Sequence, residues 1–210
     1  MAPFGAGHFH FSIVLTSMGK AQTTVSFDSE DLILVDSHDQ VVGTAPKIEV
    51  HRPGGVLHRA FSIFIYAATG HVLLHQRSKE KPLWPGFWTN SCCSHPRSGE
   101  SYEQATHRRL QEELGIQTTL TRLYQFEYCA HFGDVGSEHE LCAVYVGCFD
   151  EPIPIIPHPE EVAAWDWFEI EYIDSWVLNR PQQLTPWFLM EWQALRQQHS
   201  DAVKAITGCR

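Results

Sequence analysis

Short runs of apolar residues, separated by turn residues, recur along most of the chain and are typical of β-strands. The segment DLILVDSHDQVVGTAP (31–46) predicts two strands joined by a turn at SHDQ. Further strands are predicted at 57–68, 71–77, 120–132, 138–149 and 163–170, with a short extended piece at 88–95. Two proline-containing loops, at 78–86 and 153–161, interrupt the pattern because proline cannot continue a strand ladder.

Two segments have the pattern of a helix instead. SYEQATHRRLQEEL (101–114) predicts a helix that is capped by Ser98 or Ser101 and ended by Gly115. A closing helix is predicted at 185–198, with Pro186 in its first turn. Strands in mixed order with two main helices predict an α+β fold, or an α/β/α sandwich around a mixed β-sheet.

Length and charge narrow the classes of protein that fit. A chain of 210 residues suits one sizeable domain, and we expect a loosely ordered extension at 1–27 followed by one domain at 28–210. Lys and Arg number 15 against 25 for Asp and Glu, which gives a formal net charge of -10. This acidity disfavours nucleic acid as a partner. Any anionic ligand must therefore be held by a local cluster of cations.

Membrane and secreted classes are also disfavoured. Apolar stretches such as Phe61–Ala68 are far shorter than the roughly 20 residues of a membrane-spanning helix. The six cysteines contain no CxxC pair, which favours free thiols in a reducing cytoplasm. We therefore predict a cytoplasmic protein with no membrane partner; a monomer and a homodimer both remain open.

Histidines and two strand carboxylates form the first candidate site. Glu138 and Glu140 are two apart in a predicted strand, so both side chains face the same side. Together with His51, His58 and His95 they would make a plausible ligand set for a divalent transition metal, with one position open. The alternative is that these histidines are scattered surface residues, and spacing alone does not decide between the two.

A thiol lies close to this candidate site. Cys93 and His95 are at i and i+2 in an extended segment and share a face, so Cys93 could act as a base or nucleophile beside a metal-bound imidazole. The alternative is that Cys93 is a small buried apolar residue, the commoner fate of a free cysteine. Cys92 points the other way and is expected in the core.

The segment GESYEQATHRRLQEELGI resembles the Nudix box, a loop–helix–loop whose glutamates hold Mg²⁺ against a diphosphate. The residues that match are Glu100, Arg108, Leu110, Glu112, Glu113, Gly115 and Ile116. Ser94 replaces the opening glycine, and Arg109 replaces a glutamate of the box. A cation at that position is better suited to binding a phosphate than to holding a metal that activates water.

Motifs around the box narrow the resemblance further. Over about residues 32–195, the chain is similar to the type I isopentenyl diphosphate isomerases. The motifs that carry this similarity are PGFWTNSCCSHPRSGES, the upstream histidines, EHE at 138–140 and TPW at 185–187. The resemblance implies a Nudix-like sandwich, no flavin, and isopentenyl and dimethylallyl diphosphate as the ligands. It implies an active-site metal, Mn²⁺ or Zn²⁺, on the ligand set His51, His58, His95, Glu138 and Glu140.

The resemblance also implies the roles of further residues. Cys93 and Glu140 would be the catalytic pair, with Tyr128 hydrogen-bonded to the glutamate and Trp187 beneath the reacting carbons. Glu113 would hold a Mg²⁺ that bridges to the diphosphate. The residues that match the family's diphosphate-binding cations are Lys47, Arg77, Lys81 and Arg109.

Two other classes compete with the isomerase. A Nudix-type diphosphate hydrolase would release phosphate, but Arg109 and the Cys93–His95 pair argue against it. A metal-bearing interaction module would use the His/Glu set only structurally, although two carboxylates with no cysteine ligand are unlike common structural zinc sites. Which of Cys93 and Glu140 acts first as the acid stays open in this interpretation.

Overall fold

A computed structural model describes residues 24–208, which form one mixed β-sheet with helices on both faces. The strands are β1 Asp31–Val35, β2 Val41–Pro46, β3 His58–Ala67, β4 His71–Arg77, β5 Trp88–Thr89, β6 Cys92–Ser94, β7 Leu120–Phe132, β8 Gly136–Phe149 and β9 Val162–Glu169. The helices are α1 Lys47–Val50, α2 Tyr102–Leu114, α3 Ile170–Asn179, α4 Pro186–Gln197 and α5 Ser200–Thr207.

Strand β3 is the centre of the sheet. It runs parallel to β8 over its whole length and antiparallel to β4 and β6. The sheet continues through the β7–β8 hairpin on one side and through β4–β9 on the other. Parallel and antiparallel pairs together make the sheet mixed, which confirms the predicted fold class.

The alternation of side chains along β3 divides the core between the two faces of the sheet. Ala60, Phe64 and Tyr66 pack in a cluster with Phe188 and other residues of α3, α4 and α5. The intervening Phe61, Ile63 and Ile65 pack in a second cluster with residues of α2. The protein is therefore an α/β/α sandwich whose central strand is buried on both sides.

Helix α2 has the two ends that its sequence predicts. The Ser101 side chain accepts from the backbone N–H of Gln104, and the Gln104 side chain accepts from the backbone N–H of Ser101, so the two form a capping box. Ser101 rather than Ser98 is thus the N-cap. Gly115 ends the helix in the left-handed region, at φ 68°.

The number of helices exceeds the prediction of two main helices, which was wrong on this point. α3 follows β9 without a break, and no side chain caps its first turn. α5 is short and also begins without a side-chain cap. Both are stabilised by packing apolar residues such as Ile173 and Val203 against the sheet, and tertiary burial of this kind outweighs weak local signals.

Some predictions fall partly outside the described residues. Of the predicted extension at 1–27, residues 1–23 lie outside, and so does Cys209. The five cysteines within 24–208 form no disulfide. None of the helices in that range has the length and apolar character needed to cross a membrane.

Candidate active site

A cavity of about 520 Å³ opens where α1, α2 and α4 approach the ends of β6, β7 and β8. All but two of the predicted site residues line it. The lining residues among them are Lys47, His51, Arg77, Lys81, Cys93, His95, Arg109, Tyr128, Glu138, Glu140 and Trp187. His58 and Glu113 are buried just behind the wall, beside residues that do line the cavity.

The predicted metal ligands form one cluster. His51, His58, His95, Glu138 and Glu140 each offer a ligand atom, and these atoms all lie within 4.8 Å of one another. The fold explains how ligands so distant in sequence meet. His58 begins β3 and is the register partner of Glu140 in the parallel pair with β8, while His51 ends α1 and His95 directly follows β6.

Backbone carbonyls fix the orientation of two of the imidazoles. His51 donates from Nδ1 to the Lys47 carbonyl at 2.8 Å, and His58 donates from Nδ1 to the Val56 carbonyl at 2.7 Å. The Nε2 atoms therefore face the cluster, where each offers a lone pair to a metal when it carries no proton. Among the described residues, the buried His58 Nε2 has no hydrogen-bond partner. An orphaned lone pair directed at two carboxylates fits a divalent cation.

The charges of the cluster support the same conclusion. His51 Nε2 lies 2.8 Å from Glu138 Oε2, and His95 Nε2 lies 2.9 Å from Glu140 Oε1. Burial opposes ionisation of Glu138, but the attraction of His51 outweighs it and lowers the Glu138 pKa to about 2. Burial lowers the pKa of His58 to about 3. His58 and Glu138 are therefore in the neutral and ionised forms in which these groups bind metals, whereas burial opposes protonation of His51 but the attraction of Glu138 outweighs it and raises the His51 pKa.

The predicted catalytic pair faces the same cavity. Tyr128 donates its hydroxyl to Glu140 Oε2 at 2.7 Å, and burial followed by the Glu138 charge raises the pKa of Glu140 well above 4.5. Cys93 is half-buried on β6, and burial raises its pKa to about 12, although Arg77 opposes the shift. Arg77 Nη1 lies 3.9 Å from the Cys93 sulfur, so this guanidinium is placed to stabilise a thiolate. Cys92 is fully buried in the core, as predicted.

Trp187 forms an aromatic wall beside this pair. Its Nε1 donates to Thr89 Oγ1 at 3.0 Å, which fixes the ring. Trp84 meets it edge-on at 5.2 Å between ring centroids, and Arg77 lies over its ring at 5.2 Å. The electron-rich face of an indole attracts positive charge, so Trp187 is a suitable neighbour for a cation formed in the cavity.

The four predicted diphosphate-binding cations have different surroundings. Arg77 donates to the Leu83 and Trp84 carbonyls, which hold its side chain against the wall. Lys47 donates to Ser26 Oγ at 2.5 Å, and burial lowers its pKa to about 8. The other two, Lys81 and Arg109, are ion-paired with carboxylates of the cavity.

Glu161 is the site residue that sequence analysis missed. It is 6% exposed, lines the cavity, and bonds Lys81 at 2.6 Å and Arg109 at 3.0 Å. Its position in a proline-rich loop gave no signal apart from the acidic pair it forms with Glu160. Two residues from the predicted extension also reach the site, because Val25 accepts from Arg109 at 2.6 Å and Ser26 contacts Lys47.

Comparisons with known proteins agree with this fold. The sequence profile of the NUDIX domain matches residues 56–188. A crystal structure from Deinococcus radiodurans superposes with a TM-score of 0.59 at 23% identity, covering 72% of this chain and 90% of that one. The MutT protein from Methanosarcina mazei gives 0.56 at 17% identity, covering 70% of this chain and 96% of the other. The chain is thus a NUDIX-fold protein.

Sequence relatives identify the family within that fold. The isopentenyl-diphosphate Delta-isomerase 1 of Photorhabdus laumondii is 43% identical over 174 residues, which is 82% of this chain and 98% of the relative. The isopentenyl-diphosphate Delta-isomerase of Serratia proteamaculans is 45% identical over 161 residues, 76% of this chain and 88% of the relative. The chain belongs to the isopentenyl-diphosphate Delta-isomerase family.

Proposed function

We propose that this protein isomerises isopentenyl diphosphate to dimethylallyl diphosphate by protonation and deprotonation. The observation that carries the proposal is one cavity that holds a thiol, Cys93, and a carboxyl, Glu140, beside the indole of Trp187. The reaction moves a C=C bond by adding a proton at one carbon and removing one from another, so it requires an acid and a base around one small substrate.

Glu140 is the proton donor in this mechanism. It delivers a proton to the terminal methylene of isopentenyl diphosphate, and the alkene electrons form the new C–H bond and leave a tertiary carbocation. Tyr128 holds the carboxyl through its 2.7 Å hydrogen bond. Cys93 must first lose its own proton, since burial raises its pKa to about 12, and Arg77 is placed to stabilise the resulting thiolate. The thiolate then removes a proton from C2, and the electrons of that C–H bond form the new double bond. In the reverse direction the two groups exchange roles.

The cavity wall protects the carbocation. Trp187 is 3% exposed and presents a π face that attracts a cation but forms no bond with it. Trp84 packs edge-on against Trp187 and Leu83 lines the cavity, and both are about 5% exposed or less. Exclusion of water at this point prevents capture of the cation as an alcohol.

Metals complete the site. The cluster of His51, His58, His95, Glu138 and Glu140 would hold Mn²⁺ or Zn²⁺, because imidazole and carboxylate suit both ions. Such an ion would supply positive charge that fixes the ligating carboxylates and tunes their acidity. Glu113 would hold the Mg²⁺ that bridges to the diphosphate, since Mg²⁺ prefers oxygen ligands. The phosphate charge is neutralised by four cations, Lys47, Arg77, Lys81 and Arg109. The expected compartment of the protein is the cytoplasm.

Incubation with isopentenyl diphosphate in D₂O tests the proposal. We expect deuterium in a methyl group of dimethylallyl diphosphate by NMR. Release of inorganic phosphate instead would indicate a hydrolase, and neither product would indicate a binding module. Cys93→Ala should abolish deuterium incorporation while the protein still binds metal. Cys129→Ala, at an exposed cysteine, is the matched control and should retain wild-type incorporation.

A further inference from the structure

Glu161 links two of the cavity's cations through both of its oxygens. Oε2 accepts from Lys81 at 2.6 Å and Oε1 accepts from Arg109 at 3.0 Å, so one carboxylate bridges two groups assigned to the diphosphate. Burial opposes its ionisation, but Lys81 and Arg109 outweigh burial and lower its pKa. Glu161 is therefore an ionised carboxylate inside a site for an anion, which needs an explanation.

Arg109 shows that this arrangement must change when a diphosphate binds. Its Nε donates to Glu113 at 2.9 Å, its Nη1 to Val25 and Glu112, and its Nη2 to Glu161. Glu113 Oε1 also lies 2.7 Å from Nη2. Every nitrogen of the guanidinium thus has an acceptor from the protein. A phosphate oxygen gains a hydrogen bond from Arg109 only if one of these acceptors gives it up.

Two cations and two carboxylates of the protein pair with each other at this end of the cavity, and magnesium diphosphate would bring a further cation and a further anion. Magnesium diphosphate consists of a cation and a polyanion. The protein contributes two cations, Lys81 and Arg109, and two buried carboxylates, Glu113 and Glu161. Their Oε1 atoms lie 2.7 and 3.0 Å from the same Arg109 nitrogen, so the two carboxylates are neighbours against one guanidinium. An exchange of partners would leave no buried charge unpaired, a condition that buried ions require.

We propose that Glu161 is a further substrate-binding residue, which releases Lys81 and Arg109 to the phosphate oxygens and, together with Glu113, faces the Mg²⁺ of the incoming magnesium diphosphate. The inference rests on the proposed function for the identity of the substrate. It adds a second carboxylate to the magnesium side of the site. It also explains why Lys81 and Arg109 are ion-paired with a carboxylate of the protein before any phosphate binds.

Calorimetric titration of Mg²⁺ in the presence of saturating inorganic diphosphate tests the proposal directly. Glu161→Gln should weaken Mg²⁺ binding about tenfold or more, because an oxygen ligand of the ion has lost its charge. Glu160→Gln is the matched control, since Glu160 lines the same cavity but is exposed and pairs with no cation of the cavity. It should bind Mg²⁺ within about twofold of the wild type.

A second titration separates exchange from mere positioning. With metal removed by a chelator, inorganic diphosphate should bind Glu161→Gln as tightly as the wild type or more tightly, because Lys81 and Arg109 have lost a competing anion. Weaker binding there would mean that Glu161 only holds the two cations in place, and this would overturn the proposal. So would equal Mg²⁺ affinity in the Glu161 and Glu160 variants. Both titrations are independent of turnover, so a wild-type protein without isomerase activity would refute the proposed function and leave this inference standing.

Discussion

Glu191 gives a quantitative test of the electrostatics of the core. It lies on α4, one turn after Trp187, and is fully buried. The Cys142 thiol donates to its Oε1 at 3.6 Å, and Ser62 is its other polar neighbour. Among the described residues no cation is a partner of this carboxyl, and burial raises its pKa to about 8 from an ordinary 4.5.

The raised pKa fixes the sign and size of a pH effect. Between pH 4.5 and pH 8 the folded protein keeps a proton that the unfolded chain has lost. The free energy of unfolding therefore falls as pH rises through this window, by about 1.4 kcal/mol per pH unit. At pH 7 the loss is about 3 kcal/mol, and above pH 8 it levels off near 5 kcal/mol, as orders of magnitude. Below pH 4.5 both states are protonated and the effect vanishes.

Glu191→Gln keeps the volume of the side chain but cannot ionise. We expect the variant to be more stable than the wild type by about 3 kcal/mol at pH 7, with a difference that grows towards pH 8 and nearly disappears at pH 5. Urea denaturation at several pH values measures this difference. Glu171→Gln, at an exposed site on α3, should show no such trend. A pH-independent difference, or a variant less stable than the wild type at pH 8, would refute the reasoning.

Three shorter predictions concern the cavity. Tyr128→Phe removes the hydrogen bond to Glu140. In steady-state assays kcat should therefore fall roughly tenfold or more with little change in KM, and a change in KM alone would contradict this. Arg109→Lys loses the fork geometry that several acceptors share, so KM for isopentenyl diphosphate should rise about tenfold, and an unchanged KM would argue against its role in binding. Removal of metal by a chelator should lower the thermal midpoint of unfolding by several degrees, because the buried carboxylates Glu138 and Glu140 lose their cation. Addition of Mn²⁺ or Zn²⁺ should restore the midpoint, and a midpoint unchanged by the chelator would count against a metal there.

Much of the fold could be predicted because its strands carry strong local patterns. The boundaries of β7 agree with the prediction at both ends, 120 and 132, and α2 has both of its predicted end residues. α3 and α5 could not be predicted in the same way because neither has a side-chain cap, as α2 has, or a proline in its first turn, as α4 has. Their stability comes from packing on a sheet whose surface exists only after folding.

Some residues of the candidate site could be predicted from the sequence and others could not. The predicted metal ligands could be named only through the family resemblance, because the spacing of three histidines and EHE alone left scattered surface residues as an alternative. Glu161 could not, because its role depends on Lys81 and Arg109, which are 80 and 52 residues away in the chain. A glutamate in a proline-rich loop is ordinarily a solvated residue. Only the fold, which brings this loop against α2, makes it part of the site.

The position of Arg109 shows how one fold supports different chemistry. α2 keeps the glutamates of the Nudix box, but a buried guanidinium stands where the box has a carboxylate, and it neutralises Glu113 at 2.7 Å. A site with this charge is suited to holding a diphosphate, because it offers a cation where a water-activating metal would need an anion. The reacting carbons can then lie at the other end of the cavity, between Cys93, Glu140 and Trp187. In the proposed mechanism the diphosphate would thereby position the five-carbon chain, and its own bonds would stay intact.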